Sequence, residues 1–284
     1  MENKIIKRNC YAKINLFLSI KDKRKDGYHN IETIFQTIDL HDKLTVEKTE
    51  GEVEINNIVG IPNDDRLEIK VAKEFFKRLN REKCGAKISI EKHIPIKAGL
   101  GGGSSDAGNT LVCLNELYDF PFTKEELIEM GLKFGSDIPF FIEGGCAYGT
   151  SRGEVLQRLK QNDIYVLIVL SNEEKISTKI AYEKLDTIKE ESKKDIESVK
   201  DAIQGGNIDY LAENIYNEFE CIYRNNEEYR DIHLSLTKTN PLACSLCGSG
   251  MAQFGLYRTF NDLEKAKDIL SKKYKCYTSK TIGG

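Results

Sequence analysis

The chain has 284 residues, 40% of them hydrophobic and 31% charged, with a formal net charge of −3 and a pI near 6.0. This is the make-up of an ordinary soluble globular protein with one large or two modest domains, and it supplies no overall basic field for nucleic acid. No apolar run approaches a membrane span, and the apolar stretch 14–20 behind Lys4, Lys7 and Arg8 is too short and too polar-flanked for an export signal, so a cytoplasmic location is expected.

In chain order, residues 5–20 and 43–55 are rich in β-branched side chains and predict strands. Leu67, Val71, Phe75 and Leu79 recur every four residues, with Ala72 and Phe76 beside them, and predict an amphipathic helix. Residues 86–93 alternate, with Ile88 and Ile90 on one face, as a strand does. A glycine cluster follows, then a helix carrying Leu111, Val112, Leu114 and Leu117. Thr123 and Glu126 have capping-box spacing and open a helix to about Phe134. The unbroken apolar run 164–170 predicts a buried strand, and charged helical segments fill 177–219. Residues 244–257 read as strand, glycine turn and strand, Asn261 caps a helix to about Lys272, and 275–282 is a last strand. This mixed order predicts an α+β fold, with a boundary in the polar stretch 152–163 giving domains 1–158 and 159–284.

Residues 95–107 read P-I-K-A-G-L-G-G-G-S-S-D-A. Glycines at 99, 101, 102 and 103 let bare backbone approach a ligand, and the helix that follows opens with amides lacking intrahelical partners. Together with the positive end of the helix dipole they make an anion site, so a nucleotide phosphate is expected here; a flexible turn is the plainer reading of the glycines alone. No lysine follows Gly103, which excludes the P-loop, and Ser104 stands where the dinucleotide fingerprint needs its third glycine. Lys13 is the one charge in the strand-like A-K-I-N-L-F-L, and Asp137 lies in G-S-D-I-P-F-F. Taken singly, the first reads as an outward lysine and the second as a turn or helix-start aspartate. Taken as a pair they suit phosphoryl transfer: the carboxylate takes a hydroxyl proton while the ammonium steadies developing charge. Eight scattered cysteines without a leader read as reduced thiols, and the C-x-x-C of Cys244 and Cys247 has only His233 nearby, short of a zinc set.

Three segments in order, A-K-I-N-L-F-L (12–18), the glycine loop, and L-C-G-S-G-M-A (246–252), resemble the three motifs of the GHMP kinases. The resemblance covers nearly the whole chain. It implies a fold with an N-terminal domain like ribosomal protein S5 domain 2 and a ferredoxin-like C-terminal domain, with the active site in the cleft between them. It also implies ATP as phosphoryl donor with Mg²⁺, on a loop of Pro95, Gly99, Leu100, Gly101, Gly102, Gly103, Ser104 and Ser105. Lys13 and Asp137 match the catalytic pair, and Gly248, Ser249 and Gly250 the third-motif turn. The metal ligands stay open, with Ser104 and Ser105 as candidates. R-K-D-G-Y-H-N-I-E-T-I-F-Q-T-I-D-L-H-D (24–42) and G-S-D-I-P-F-F resemble the branch acting on a cytidyl-diphosphate methylerythritol in the non-mevalonate route to isoprenoids. In that branch Tyr28 would stack on cytosine, His29 hydrogen-bond it, and Tyr182 supply a second aromatic face. Cys247, Met251 and Ala252 depart from the hydroxyl- and proline-bearing pattern of the third motif, Ser136 and Gly108 replace alanines, and Asp106 would repel phosphate unless it faces away or caps the helix. Partners are a small-molecule substrate, with neither nucleic acid nor membrane, in a monomer or homodimer. Another small-molecule GHMP kinase, acting on mevalonate or homoserine, and a non-catalytic nucleotide-binding protein are the alternatives.

Overall fold

The computed structural model describes residues 4–56, 62, 65–160, 162–173, 176–188 and 194–283. Its first two strands are long: β1 (Ile5–Lys23) and β2 (His29–Thr49), joined through a turn in which Gly27 takes φ +87°. Residues 12–19 of β1 are all buried, the polar Lys13, Asn15 and Ser19 among them. Residues 29–42, which the sequence presents as a motif without strand periodicity, are strand as well. The chain divides into two compact units that are interleaved along it. Unit 1 holds Met1–Ala12, His41–Ile96 and Gly101–Gly144; unit 2 holds Lys13–Leu40, Lys97–Leu100 and Gly145–Gly284.

Unit 1 is built on the C-terminal half of β2. This pairs antiparallel with β4 (Gly85–Glu91), from Lys43 opposite Glu91 to Thr49 opposite Gly85, and β3 (Glu54–Ile55) runs parallel to β4. α1 (Leu67–Leu79) buries Val71, Ala72, Phe75 and Leu79, the stripe its spacing predicts, and ends at Asn80 in the left-handed conformation. α1 packs on α2 (Gly102–Leu117), and α2 on α4 (Ile138–Glu143). α3 (Lys124–Leu132) starts from the expected capping box: Thr123 Oγ1 accepts from Glu126 N–H, and the Glu126 carboxylate accepts from Thr123 N–H. The core between sheet and helices includes Leu44, Val46, Phe75, Ile88, Leu111 and Leu114.

In unit 2 the first half of β2 pairs antiparallel with β5 (Cys146–Thr150), which pairs with β6 (Val155–Leu159). β1 pairs parallel with the two-residue β8 (Tyr216–Asn217), Phe17 opposite Tyr216. A second, antiparallel sheet has the order β11 (Cys276–Lys280), β7 (Tyr165–Val169), β10 (Gln253–Tyr257), β9 (Ala243–Leu246). Counted along the chain this is 4-1-3-2, with helices, α8 (Glu220–Tyr223) and α9 (Glu227–Thr237) among them, between the first and second strands and α10 (Phe260–Leu270) between the third and fourth: a ferredoxin-like βαββαβ arrangement. β7 is internal, and Val166, Leu167, Ile168 and Val169 are fully buried, as the apolar run requires. The expected helical stretch 177–219 is α5 (Thr178–Leu185), α6 (Ile196–Gly205) and α7 (Ile208–Asn214) followed by β8, while residues 189–193 lie outside the described residues. α10 is capped by Thr259 rather than Asn261. The Thr259 backbone is extended and its Oγ1 accepts from Asp262 N–H, whereas Asn261 is already inside the helix.

Candidate active site

Lys13 sits on the buried middle of β1 with 4% of its surface exposed. Its Nζ donates to Asn15 Oδ1 at 2.6 Å and lies 5.5 Å from the centroid of the Phe35 ring. Asn15 is two residues along the strand, hence on the same face. Its Nδ2 donates to Thr33 Oγ1 at 2.8 Å, and that hydroxyl donates to the Phe17 carbonyl at 2.7 Å. The chain of donors fixes the asparagine oxygen toward the ammonium, the arrangement a buried charge needs. The outward lysine expected from the isolated strand pattern is therefore ruled out.

The tip of the glycine loop and the third motif, both in unit 2, meet at Lys13. Lys13 N–H donates to the Leu100 carbonyl at 3.0 Å. Gly99 and Gly248 take φ +83° and +56°. A Cβ built on Gly99 would stand 1.8 Å from the Cys247 carbonyl oxygen; one on Gly248 would stand 2.9 Å from Gly99 O and 3.4 Å from Lys13 Nζ. Bare backbone thus meets bare backbone, which only glycine permits. Asn217 Nδ2 donates to the Leu246 and Gly248 carbonyls, and Tyr223 Oη to the Ser249 carbonyl, so side chains outside the motif hold its turn. Cys247 is fully buried, and burial pushes its thiol up to about 12 against the pull of Lys13, so it packs as a neutral group.

Elsewhere in unit 2, Tyr28 is half exposed on the Gly27 turn, with the Arg152 guanidinium 4.8 Å from its ring centroid. His29 is buried. Its ring stacks on Tyr182 of α5 (centroids 4.9 Å apart, planes 11° apart), and its Nε2 lies 2.7 Å from Asp186 Oδ1. Hydrogen bonds from Lys23, then from His29, hold the Asp186 carboxyl below its usual range despite partial burial.

In unit 1, α2 begins at Gly102, after Gly101 at φ +74°, and no side chain caps its first amides. Those amides are the ones a phosphate would use. Gly103 has open space where a Cβ would point. Ser104 is half-buried, and Ser105 is fully buried with its hydroxyl donating to the Tyr11 carbonyl at 2.7 Å. Asp106 is fully buried and accepts from Lys92 Nζ at 2.7 Å. Burial, opposed by Lys92 and reinforced by Asp42, pushes its carboxyl up to about 7. Asp137 stands at the N-cap position of α4 in a right-handed helical conformation, half-buried, and its side chain makes no cap. The helix-start position expected of an isolated Asp137 is thus the one it occupies.

Residues 66–145 match the model of the GHMP kinases N terminal domain. The solved structure described as 4-(cytidine 5'-diphospho)-2C-methyl-D-erythritol kinase aligns at TM-score 0.84 and 26% identity, over 98% of this chain and all of that one. A homoserine kinase from Cytophaga hutchinsonii aligns at TM-score 0.80 and 15% identity over 100% of this chain and 96% of its own, a likeness of fold alone. A 4-diphosphocytidyl-2-C-methyl-D-erythritol kinase of Thermoanaerobacter pseudethanolicus is 39% identical over 98% of this chain and 97% of its own, and one of Clostridium perfringens is 35% identical over 98% of both. The chain belongs to the 4-diphosphocytidyl-2-C-methyl-D-erythritol kinase family of GHMP kinases.

Within this kinase family's pattern, the structure gathers Lys13, the loop tip and Gly248–Gly250 in unit 2, and sets His29 against Tyr182 there. The α2 start and Asp137 belong to unit 1. Asp106 resolves the expected conflict with phosphate by turning inward onto Lys92. Of the two hydroxyls weighed for metal contact, that of Ser105 is committed to packing, and Ser104 retains exposure. Tyr182 faces the His29 ring itself. Sequence reading missed Asn15, Thr33 and Asp186. Asn15 was findable as the next residue on the Lys13 face, and Asp186 as the residue four after Tyr182, one helical turn on. Thr33 carried no signal.

Proposed function

We propose that this kinase moves the γ-phosphate of ATP onto the 2-hydroxyl of 4-diphosphocytidyl-2-C-methyl-D-erythritol, a step of the non-mevalonate route to isoprenoid precursors. The near full-length identity of 39% to a relative bearing that kinase's name carries the reading. A tertiary hydroxyl is a hindered nucleophile, so positioning and electrostatics supply the rate rather than covalent chemistry. Asp137 takes the hydroxyl proton as the new O–P bond forms; the β–γ bond breaks, and ADP leaves with the electron pair. Its side chain is half-buried at the start of α4, which leaves it within reach of a substrate. Lys13, buried and braced by Asn15, offers a fixed positive charge to the attacking oxygen. Residues 95–105 cradle the phosphates, and Gly248–Gly250 brace the loop tip. Ser104, half-buried at the start of α2, is the hydroxyl that would hold an Mg²⁺ brought with ATP, and the metal would supply positive charge to the phosphates. Tyr28, His29 and Tyr182 receive the cytosine, Asp186 holding His29 in one orientation. Residues 1–158 form the N-terminal and 159–284 the C-terminal functional domain.

No helix among the described residues is long and apolar enough to cross a membrane. Both substrates are multiply charged and stay in water, which supports action in the cytoplasm. The test is ADP release by the purified chain with Mg·ATP and the cytidyl substrate, beside mevalonate and homoserine. Turnover with the cytidyl substrate alone is expected. Turnover with only mevalonate or homoserine would remove the cytosine site, and ATP binding without turnover would leave a non-catalytic nucleotide binder.

A further inference from the structure

Beneath the first turns of α2 lies a group of charges that the chemistry above does not use. Lys92, one residue past β4, donates to Asp106 Oδ2 at 2.7 Å and to Asp42 Oδ2. Both carboxylates are fully buried, and the lysine side chain is 14% exposed. Asp42 Oδ1 accepts the backbone N–H groups of His93 and Ile94, at 2.6 and 2.8 Å. These are the residues from which the glycine loop departs. Asp106 stands in the second turn of α2, where the loop arrives. A Cβ on Gly102, the first residue of α2, would lie 3.3 Å from Lys92 Nζ and 3.0 Å from Ile94 Cγ2, so the helix start rests directly on the lysine and its neighbour. Three segments of unit 1, at 42, 92–94 and 102–106, therefore converge on one ammonium.

We propose that Lys92, with Asp42 and Asp106, is the positioning group of the phosphate loop, tying its strand-side departure to its helix-side arrival so that the first α2 amides present one fixed array. The inference rests on the reading that this loop holds ATP. Apolar side chains of similar volume stabilise a fold as well as a buried ion cluster does, so stability alone does not call for charge here; directional bonds do specify one geometry. Assayed above pH 7, where Asp106 is ionised, the cluster carries one positive and two negative groups, which offers a charge-conserving test. The double variant Lys92→Met/Asp106→Asn keeps the cluster's net charge at −1 and removes the tie.

Steady-state kinetics of the full chain read the result, with circular dichroism and a thermal midpoint checking the fold. The double variant is expected to raise KM for ATP tenfold or more, leave KM for the cytidyl substrate within twofold, and lower kcat less than KM rises. Lys92→Arg, which retains the donors, is expected to stay within threefold of wild type for ATP. A folded double variant with KM for ATP within twofold of wild type overturns the proposal, as does an equal rise in both KM values, which would mark general loosening. Should the double variant not fold, Asp106→Asn alone is read by the same split and the same limits. Wild-type chain that neither turns over nor binds ATP would instead sink the loop reading itself.

Discussion

Replacing Gly99 with alanine puts the loop tip under a defined load. The new Cβ would start 1.8 Å from the Cys247 carbonyl oxygen, and ordinary contact begins near 3.4 Å, so one backbone must retreat by about 1.6 Å. The residue must also hold φ +83°, a left-handed conformation that costs a non-glycine residue about 1–2 kcal/mol. Neither neighbour is a flexible side chain able to swing aside: both are main chain, one in the loop and one in the third motif. A misplacement of about 1 Å in a positioned site is worth roughly 10²-fold in rate. The expected outcome is a fall in kcat/KM of about 10²-fold or more, equivalent to about 2.7 kcal/mol, measured by coupled ADP release. The thermal midpoint should fall with it, by a few degrees per kcal/mol lost. A variant with kcat/KM within about threefold of wild type would refute the contact as the feature that sets the loop tip.

Gly103→Ala is the opposite case. Its Cβ meets nothing within 4 Å and its position is helical, so the thermal midpoint should rise with up to about 1 kcal/mol of helix propensity while KM for ATP worsens as the methyl crowds the phosphate side. Asp137→Asn should keep fold and ATP binding but lose about 10²–10⁴-fold in kcat, read by single-turnover phosphoryl transfer; more than half the wild-type rate would remove Asp137 from the proton-acceptor role. Gly108→Ala should bring no net stabilisation by chemical denaturation, because its Cβ would press at 3.2 Å on Ile138 O and on Phe141 Cβ and so cancel the gain of about 1 kcal/mol in propensity. Asp106, faced by Lys92, Asp42, Glu68 and the Cys10 thiol, has a folded pKa raised to about 7. The folded state therefore holds more protons than the unfolded chain between the ordinary carboxylate range and 7, and this group's contribution to stability falls as pH rises through that window. Denaturation midpoints at pH 5 and 8 should show the wild type losing more on alkalinisation than Asp106→Asn; equal losses would contradict it.

Much of the fold was legible because its signals are local. The α1 stripe, the Thr123–Glu126 capping box and the apolar run of β7 each follow from spacing within one element. α4 and β8 were not legible, for six residues and two carry too little periodicity to stand out. The strand nature of residues 29–42 was hidden because buried polar groups such as Thr33, Gln36 and Thr37 break the apolar alternation there. At the site, glycine positions and Lys13 were visible as residue types, but their reasons were not. Gly99 is fixed by a carbonyl 148 residues further along the chain, and Lys13 by a hydrogen-bond chain that runs through the neighbouring strand's Thr33 to the Phe17 carbonyl. For Asp106 the alternatives stayed open for the same reason. Its proximity to the loop in sequence was plain, while its burial against Lys92 is a property of the folded core.

The interleaving of the two units has a consequence for how the chain comes off the ribosome. Residues 13–40 emerge early, yet the β5 strand that pairs with β2 and the β8 strand that pairs with β1 are made more than a hundred residues later. Unit 1, complete at Gly144, has all its segments available first; unit 2 must wait for nearly the whole polypeptide. The Phe17–Leu18 end of β1 then lacks its β8 partner, Tyr216–Asn217, for much of synthesis, a window in which aggregation competes with folding. Neither unit corresponds to a contiguous fragment, so dissecting this enzyme by simple truncation cuts through a hydrophobic core wherever the cut is placed between residues 13 and 144.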